Sequence, residues 1–181
     1  LRSLTILRQL SLDPALIDET HDSIGSAKID RLLDDLSQVI AEGHRALVFS
    51  TFTRYLSRVK ARLDEAGIAY SYLDGRTRRR EQAISAFTDG DAPVFVISLK
   101  AGGFGLNLTQ ADYCFVLDPW WNPAAETQAV DRAHRIGQEN NVVVYRYVST
   151  GTIEEKVMEL KERKAALFSS VMDADDTLAG A

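Results

Sequence analysis

The sequence predicts an α/β fold in which a mainly parallel sheet is covered by helices on both faces. Five short segments are apolar and rich in β-branched or aromatic residues, as buried strands are: 46–50, 69–73, 94–98, 113–117 and 142–148. Helical spacing of apolar residues marks the stretches 26–42, 53–66, 78–88, 123–136 and 152–168. Continuously apolar strands that alternate with helices are typical of a parallel sheet buried on both faces.

Two of the helices carry additional local signals. In the stretch 26–42, apolar residues recur at helical spacing, namely Ile29, Leu32, Leu33, Leu36, Val39 and Ile40. The last helix opens with Thr152 as N-cap and Glu155 at the capping-box position. The predicted organisation is a leading helix and loop, one folded domain and a frayed tail, with the boundaries 1–25, 26–168 and 169–181.

Composition limits the class of protein. A chain of 181 residues that is 45% hydrophobic can bury one sizeable core. Cys114 is the only cysteine, so an intramolecular disulfide and a cysteine-based metal cluster are excluded, which suits a reducing compartment. No apolar run approaches the length of a membrane span, and the N-terminus does not resemble a signal peptide. We therefore expect an intracellular protein with no membrane partner.

Charge argues against nucleic-acid binding by the domain as a whole. The formal net charge is −5, whereas domains that hold nucleic acid by overall charge are usually basic. One local exception is the stretch "GRTRRR" at 75–80, which places four arginines in five positions: Arg76, Arg78, Arg79 and Arg80. Contact with nucleic acid, if it occurs, is expected to be local and to involve this stretch.

The predicted topology indicates where a ligand would bind. In open parallel sheets, ligands bind beyond the carboxyl ends of the strands. Four loops follow predicted strands at that edge, with the sequences "TFTR", "DGRTRRR", "LKAGGFGLNLT" and "DPWWNP". These loops form the candidate site.

Several familiar catalytic motifs are absent from the sequence. Gly103 and Gly105 form a G-x-G after a strand, but Leu108 occupies the position at which a dinucleotide-binding loop needs a third glycine. No G-x-x-x-x-G-K-[ST] phosphate loop occurs, and the three histidines lack the spacing of metal ligands. Catalysis by this chain alone is therefore not indicated.

The stretch "QAVDRAHRIGQ" at 128–138 carries a pair of arginines. Arg132 and Arg135 are three positions apart in a predicted helix, so both guanidinium groups would lie on one face. Taken alone, the pair fits either a solvated surface with salt bridges or a site for an anion.

Four segments together resemble the second RecA-like lobe of the Swi/Snf-type ATPases of helicase superfamily 2. They occur in family order, as "ALVFSTFTRYL", "YLDGRTRRREQAISAF", "VFVISLKAGGFGLNLTQADYCFVLDPWWNPAAETQAVDRAHRIGQ" and "VVVYRYVSTGTIEEKV". The resemblance implies a three-layer RecA-like fold. It also implies a DNA-stimulated ATPase that translocates along duplex DNA without separating its strands.

For ATP, the resemblance implies roles on the nucleotide side of a cleft. Arg132 and Arg135 match the two arginines of the last helicase motif of the family, which implies arginine fingers that act when a second domain closes. The resemblance also places four further residues on the ATP side: Gln128, Asn107, Gly103 and Gly105. The glycines would allow the backbone to approach a phosphate or the partner lobe closely.

For DNA, the resemblance implies contacts to backbone phosphate. The implied contacts are Ser50, Thr51, Arg80, Lys100 and Trp121. Thr51 stands where glutamine is commoner in the family, which weakens that one assignment. Trp121 matches a tryptophan that couples ATP hydrolysis to DNA movement, although an anchoring role for the tryptophans of "DPWWNP" remains open. Asp118 is expected to order its loop by accepting hydrogen bonds from backbone amides.

The resemblance also implies partners and cofactors. ATP and Mg²⁺ would be held mainly by an N-terminal RecA-like lobe that is not in this sequence, with residues 1–25 leading in from it. The chain alone is therefore expected to be inactive as an ATPase. Double-stranded DNA is the expected partner, and a bacterial or archaeal source with a cytoplasmic or nucleoid location is favoured over a nuclear one. The alternative is a non-catalytic module that binds DNA or protein.

Overall fold

A computed structural model of the protein describes residues 26–98, 108–118, 142–148, 153–163 and 166. The helices there are α1 (Ala27–Ala41), α2 (Thr53–Glu65), α3 (Arg80–Thr88) and α4 (153–163). The strands are β1 (Ala46–Ser50), β2 (Tyr70–Leu73), β3 (Val94–Ser98), β4 (Tyr113–Val116) and β5 (Val143–Arg146). Every predicted boundary that falls on described residues agrees to within two positions. None of these helices is both long and apolar enough to cross a membrane.

Some predictions fall on other parts of the chain. The helix predicted at 123–136 and the terminal segments 1–25 and 169–181 lie outside the described residues, as does the proposed N-cap Thr152. The proposed division of the chain into a leader, a domain and a tail therefore stays a prediction.

The five strands form one sheet in the order β2-β3-β1-β4-β5, and all four neighbouring pairs are parallel. This confirms the predicted parallel sheet. Strand β1 lies at the centre and pairs with both β3 and β4. After β1, the chain forms β2 and β3 on one side of it and then β4 and β5 on the other side, so the direction of winding changes at β1. Loops at the carboxyl ends of strands on either side of such a point leave a crevice between them.

Apolar side chains fill both faces of the sheet. On one face, α1 and α2 pack over Val48, Val96 and Phe115. On the other face, Phe87 of α3 packs against Phe95, with ring centroids 5.3 Å apart. Helices therefore cover both faces, as the continuously apolar strands predicted.

Helices α1 and α2 end in the same way. Gly43 and Gly67 follow them with φ of 81° and 68°, a left-handed conformation that glycine adopts without a steric penalty. After α1, the N–H of Gly43 donates to Ile40 O and the N–H of His44 donates to Val39 O, both at 3.0 Å. These two bonds form a Schellman motif, which turns the chain directly into β1.

The amino-terminal edge of the sheet is held together by side chains that bridge elements. His44 Nδ1 and Asp112 Oδ2 are 2.5 Å apart, and Asp112 Oδ1 accepts the backbone N–H of Arg45 at 3.2 Å. The Arg45 guanidinium donates to the carbonyl of Phe87, in the last turn of α3, and to that of Ala92, beyond the end of the helix. It also lies 4.2 Å from the centroid of the Phe87 ring. These contacts fix α3 against the sheet.

The buried thiol of Cys114 gives a first prediction. Cys114 is fully buried in β4, and burial raises its pKa to about 12. Because the thiolate is the reactive form, a thiol reagent at pH 8 should label the folded chain only through global unfolding. Labelling rates measured across a urea series should follow the unfolded fraction, and rapid labelling in native buffer would contradict the described packing. Since the folded-state pKa is raised, the contribution of Cys114 to stability is complete below pH 9 and is lost as the pH rises from 9 towards 12.

Candidate functional site

The loops after β1 and β4 meet at one buried carboxylate. Asp118 follows β4 and is 1% exposed. Its Oδ1 accepts hydrogen bonds from Ser50 Oγ at 2.5 Å and from the backbone N–H of Thr51 at 3.1 Å, and its Oδ2 accepts one from Thr51 Oγ1. We refer to Asp118, Ser50 and Thr51 as the Asp118 junction. It ties the carboxyl ends of two neighbouring strands together at the point where the winding of the sheet reverses.

The junction bears on two sequence predictions. Asp118 accepts a backbone N–H from Thr51, which follows β1. The loop that Asp118 itself was predicted to order begins at residue 119, outside the described residues, so that role stays a prediction. Ser50 and Thr51, predicted to contact phosphate, are buried, and both hydroxyls donate to Asp118. Their contact with phosphate stays a prediction, and in this conformation it would not use these hydroxyl protons.

A second carboxylate shapes the loop between β2 and α3. Asp74 accepts hydrogen bonds from the Tyr72 hydroxyl at 2.7 Å, the Arg76 N–H at 2.8 Å and the Thr77 hydroxyl at 3.3 Å. The Thr77 hydroxyl in turn accepts the Asp74 N–H at 2.9 Å. Burial alone would raise the pKa of Asp74, but these hydrogen bonds and the charge of Lys60 lower it overall. The loop is thus an Asx-type turn that a charged carboxylate holds.

This turn presents the arginine cluster at the start of α3. Arg76, Arg78 and Arg79 are exposed, and Arg80 is half-buried as the first residue of the helix. The N-terminus of a helix carries a partial positive charge, so cations there are unfavourable by about 0.3–1 kcal/mol each. Folding alone does not account for three arginines at positions 78–80. Their charges and the helix dipole would all favour an anion.

All of the other predicted site residues lie outside the described part of the chain. This group comprises Lys100, Gly103, Gly105, Asn107, Trp121, Gln128, Arg132 and Arg135. Their roles in binding ATP or DNA stay predictions. Ser98, the last residue of β3, comes just before this region; it is fully buried, and its hydroxyl has no hydrogen-bond partner in the described part of the chain.

Sequence reasoning missed a buried ion pair at the same edge. Lys28 in α1 and Glu154 in α4 are 8% and 1% exposed, and Lys28 Nζ lies 2.5 Å from Glu154 Oε1. A signal was present, because Lys28 falls on the same helical face as Leu32 and Leu36, where an apolar residue would be usual. Nothing local to the sequence identifies Glu154 as its partner.

The Asp118 junction gives a second prediction. Asp118→Ala removes the acceptor for three buried donors and should lower the free energy of unfolding by about 3 kcal/mol, as measured by urea denaturation at pH 7. Asp118→Asn, which keeps one carbonyl oxygen, should cost about half as much.

The exposed Asp34 on α1 provides the control, since Asp34→Asn should stay within about 0.5 kcal/mol of the wild type. If Asp118→Ala behaved like this control, the junction would have no structural importance.

Comparison with known proteins agrees with this geometry. The profile of the family described as "Helicase conserved C-terminal domain" matches residues 27–137. The DNA repair protein RAD5A of Arabidopsis thaliana is 38% identical over 159 residues, which are 86% of this chain and 16% of that protein. The ATP-dependent helicase rhp16 of Schizosaccharomyces pombe is 40% identical over 156 residues, 83% of this chain and 18% of the relative. This chain therefore spans less than a fifth of the length of either relative.

A solved structure shows the same architecture. The crystal structure of the C-terminal part of the Fun30 ATPase domain is similar with a TM-score of 0.71 and 37% sequence identity, covering 76% of this chain and 46% of that one. The five-stranded parallel sheet is thus the RecA-like sheet that the sequence motifs predicted. The chain belongs to the helicase conserved C-terminal domain family, and within it to the second RecA-like lobe of the Swi/Snf-type ATPases.

Proposed function

We propose that this chain is the second motor lobe of an ATP-dependent translocase on double-stranded DNA. In this proposal it grips DNA by its phosphates and supplies Arg132 and Arg135 as fingers to ATP bound by an N-terminal lobe. The observation that carries the proposal is the arginine cluster at the N-terminus of α3, at the ligand-binding edge of the sheet, in a chain whose net charge is −5.

The arrangement of the cluster favours phosphate over bases. The Asp74 turn holds the loop in place, while the side chains of Arg76, Arg78 and Arg79 extend into solvent. Phosphate groups would relieve the repulsion among the arginines and complement the helix dipole. Contacts of this kind carry no sequence information, as a translocase requires.

ATP and Mg²⁺ are assigned mainly to the N-terminal lobe. In this proposal, the contribution of this lobe to hydrolysis is positive charge, brought to the γ-phosphate when the two lobes close. The relatives support ATP dependence and action on DNA by their names, "ATP-dependent helicase" and "DNA repair protein".

The same relatives bear on location. Both are eukaryotic, so they lend no support to the expected bacterial or archaeal source. A nuclear location fits relatives that are named for DNA repair, and we propose it in place of the earlier expectation.

The finger role predicts a specific kinetic defect. In the full-length protein, Arg132→Ala or Arg135→Ala should lower kcat by about 10³, the lower end of the range established for trans-acting fingers in GTPases. Affinity for ATP and DNA should change far less, because the charge acts mainly in the closed transition state. Steady-state ATPase assays and a DNA titration measure the two effects separately.

The control for the finger prediction is Arg135→Lys. It keeps the charge but not the planar fork, so it should not restore the rate. A near-normal kcat in both alanine variants would instead assign the pair to surface salt bridges and would favour the non-catalytic module.

The grip on DNA predicts a change in salt dependence. Arg80→Ala and Lys100→Ala should each weaken DNA binding for all sequences alike and reduce the slope of log K against log salt by about one unit. Arg31→Ala is the matched control, because Arg31 is exposed on α1 in an i,i+4 ion pair with Asp35. Equal slopes for Arg80→Ala and Arg31→Ala would remove Arg80 from the DNA interface.

A further inference from the structure

The Lys28 ammonium satisfies all its hydrogen-bonding capacity inside the protein. Its Nζ donates to Leu117 O at 2.5 Å, Tyr147 O at 3.0 Å and Glu154 Oε1 at 2.5 Å. An ammonium group has three N–H bonds, so each of them has an acceptor. Leu117 follows β4, Tyr147 follows β5 and Glu154 lies in the first turn of α4. One side chain on α1 therefore joins two strand ends and a helix 126 positions further along the chain.

Stability alone is a poor explanation for this arrangement. Burial lowers the pKa of Lys28, which shows that its surroundings disfavour the charge, although Glu154 and Asp118 act in the opposite direction. Two apolar side chains of similar size often stabilise a core as well as a buried ion pair or better. What apolar side chains cannot do is hold two carbonyl groups in defined positions.

The position of these carbonyls links the ion pair to the candidate site. Leu117 O belongs to the peptide that joins Leu117 to Asp118, and the backbone N–H of Leu117 donates to Phe49 O at 2.9 Å. Lys28 thus holds one side of a peptide whose next residue holds Ser50 and Thr51. A displacement of α4 would therefore also displace the Asp118 junction, because Glu154, Lys28 and the Leu117 carbonyl are joined by short polar contacts in a closely packed core.

We propose that the Lys28–Glu154 ion pair, here called the lock, fixes the position of the Asp118 junction relative to α4. The lock thereby couples DNA binding at this edge to ATP turnover. The inference rests on the proposed function and deepens it. Lys28 and Glu154 are positioning residues that touch neither DNA nor nucleotide. Without the lock, the loops at the edge would relax, and DNA would no longer favour the closed geometry in which the fingers act.

The test is a double variant of the full-length protein, Lys28→Met with Glu154→Met. It removes both charges at nearly constant volume and leaves no unpaired buried charge. Because the carbonyls of Leu117 and Tyr147 lose their donor, we expect the melting temperature to fall by about 5–15 °C, and the rates are compared at a temperature at which the variant is folded. The KM for ATP and the ATPase rate without DNA should change by less than about twofold, while the DNA-stimulated kcat should fall by about tenfold.

A second ion pair, between Asp30 of α1 and Arg62 of α2, is the matched control. Arg62 Nη2 lies 2.7 Å from Asp30 Oδ1, and the two side chains are 33% and 63% exposed. The double variant Asp30→Asn with Arg62→Gln should leave the stimulated rate unchanged, because an exposed pair positions nothing at the edge. Equal losses in the two double variants would overturn the lock, as would full DNA stimulation in the methionine variant.

Amide hydrogen exchange keeps the inference testable if the methionine variant does not fold. In full-length Glu154→Gln, which retains an acceptor oxygen, the lock predicts faster exchange in peptides covering 46–52 and 113–118 as well as in α4. Faster exchange confined to 153–163 would overturn it. This measurement requires no enzymatic activity, so it distinguishes failure of the lock from failure of the proposed function. A wild-type protein without DNA-stimulated ATPase activity would refute the motor proposal. The exchange rates would still show whether Glu154 positions the Asp118 junction.

Discussion

The parallel pairing of β1 with both β3 and β4 is the constraint on which the rest of the structure depends. Because β1 is central and buried on both faces, every strand beside it needs helical cover on two sides, and every connection must return to the same end of the sheet. All carboxyl ends consequently meet at one edge. The loops that carry the charged and hydroxyl side chains therefore lie together at this edge.

Because the strand ends converge at a buried edge, the polar groups there need hydrogen-bond partners within the protein, and two charged side chains provide them. The strand ends leave hydroxyls, amides and carbonyls with little access to water, and such groups are costly unless they are hydrogen-bonded. Asp118 accepts hydrogen bonds from Ser50, at the end of β1, and from Thr51, which follows it. Lys28 donates to the carbonyls after β4 and β5. The carboxylate and the ammonium thus complement each other on either side of one peptide. A core made only of apolar side chains would not determine these loop positions.

The arginine cluster illustrates the opposite balance between stability and function. Its charges repel one another, and they lie at the end of α3 where the helix dipole is unfavourable to cations. Glu81 is the acidic residue in the first turn, and a chain selected for stability alone would not place three arginines directly before it. The Asp74 turn nevertheless holds the loop in a defined conformation, which suits a surface that is completed by an anionic partner.

The sequence by itself determined the elements and their class. Helical and strand periods are local properties, so β1 and β3 were predicted with their observed limits, and the other boundaries that fall on described residues to within two positions. At the ends of β4 and β5, the differences arise because ladder hydrogen bonds continue one residue beyond the strand, as at Tyr147, whose N–H donates to Val116 O at 3.0 Å. Motif spacing was also sufficient to identify the family and to predict the edge of the sheet at which the candidate site lies.

Only the tertiary structure decided the strand order, the partners of Asp118 and the pairing of Lys28 with Glu154. The sequence showed a loop-ordering aspartate and phosphate-contact hydroxyls as separate features, whereas the fold joins them in a single buried junction. The physical reason is distance along the chain. Periodicity reports which face of an element is apolar, but contacts between residues 67 to 126 positions apart depend on how the elements pack, and no local pattern encodes that.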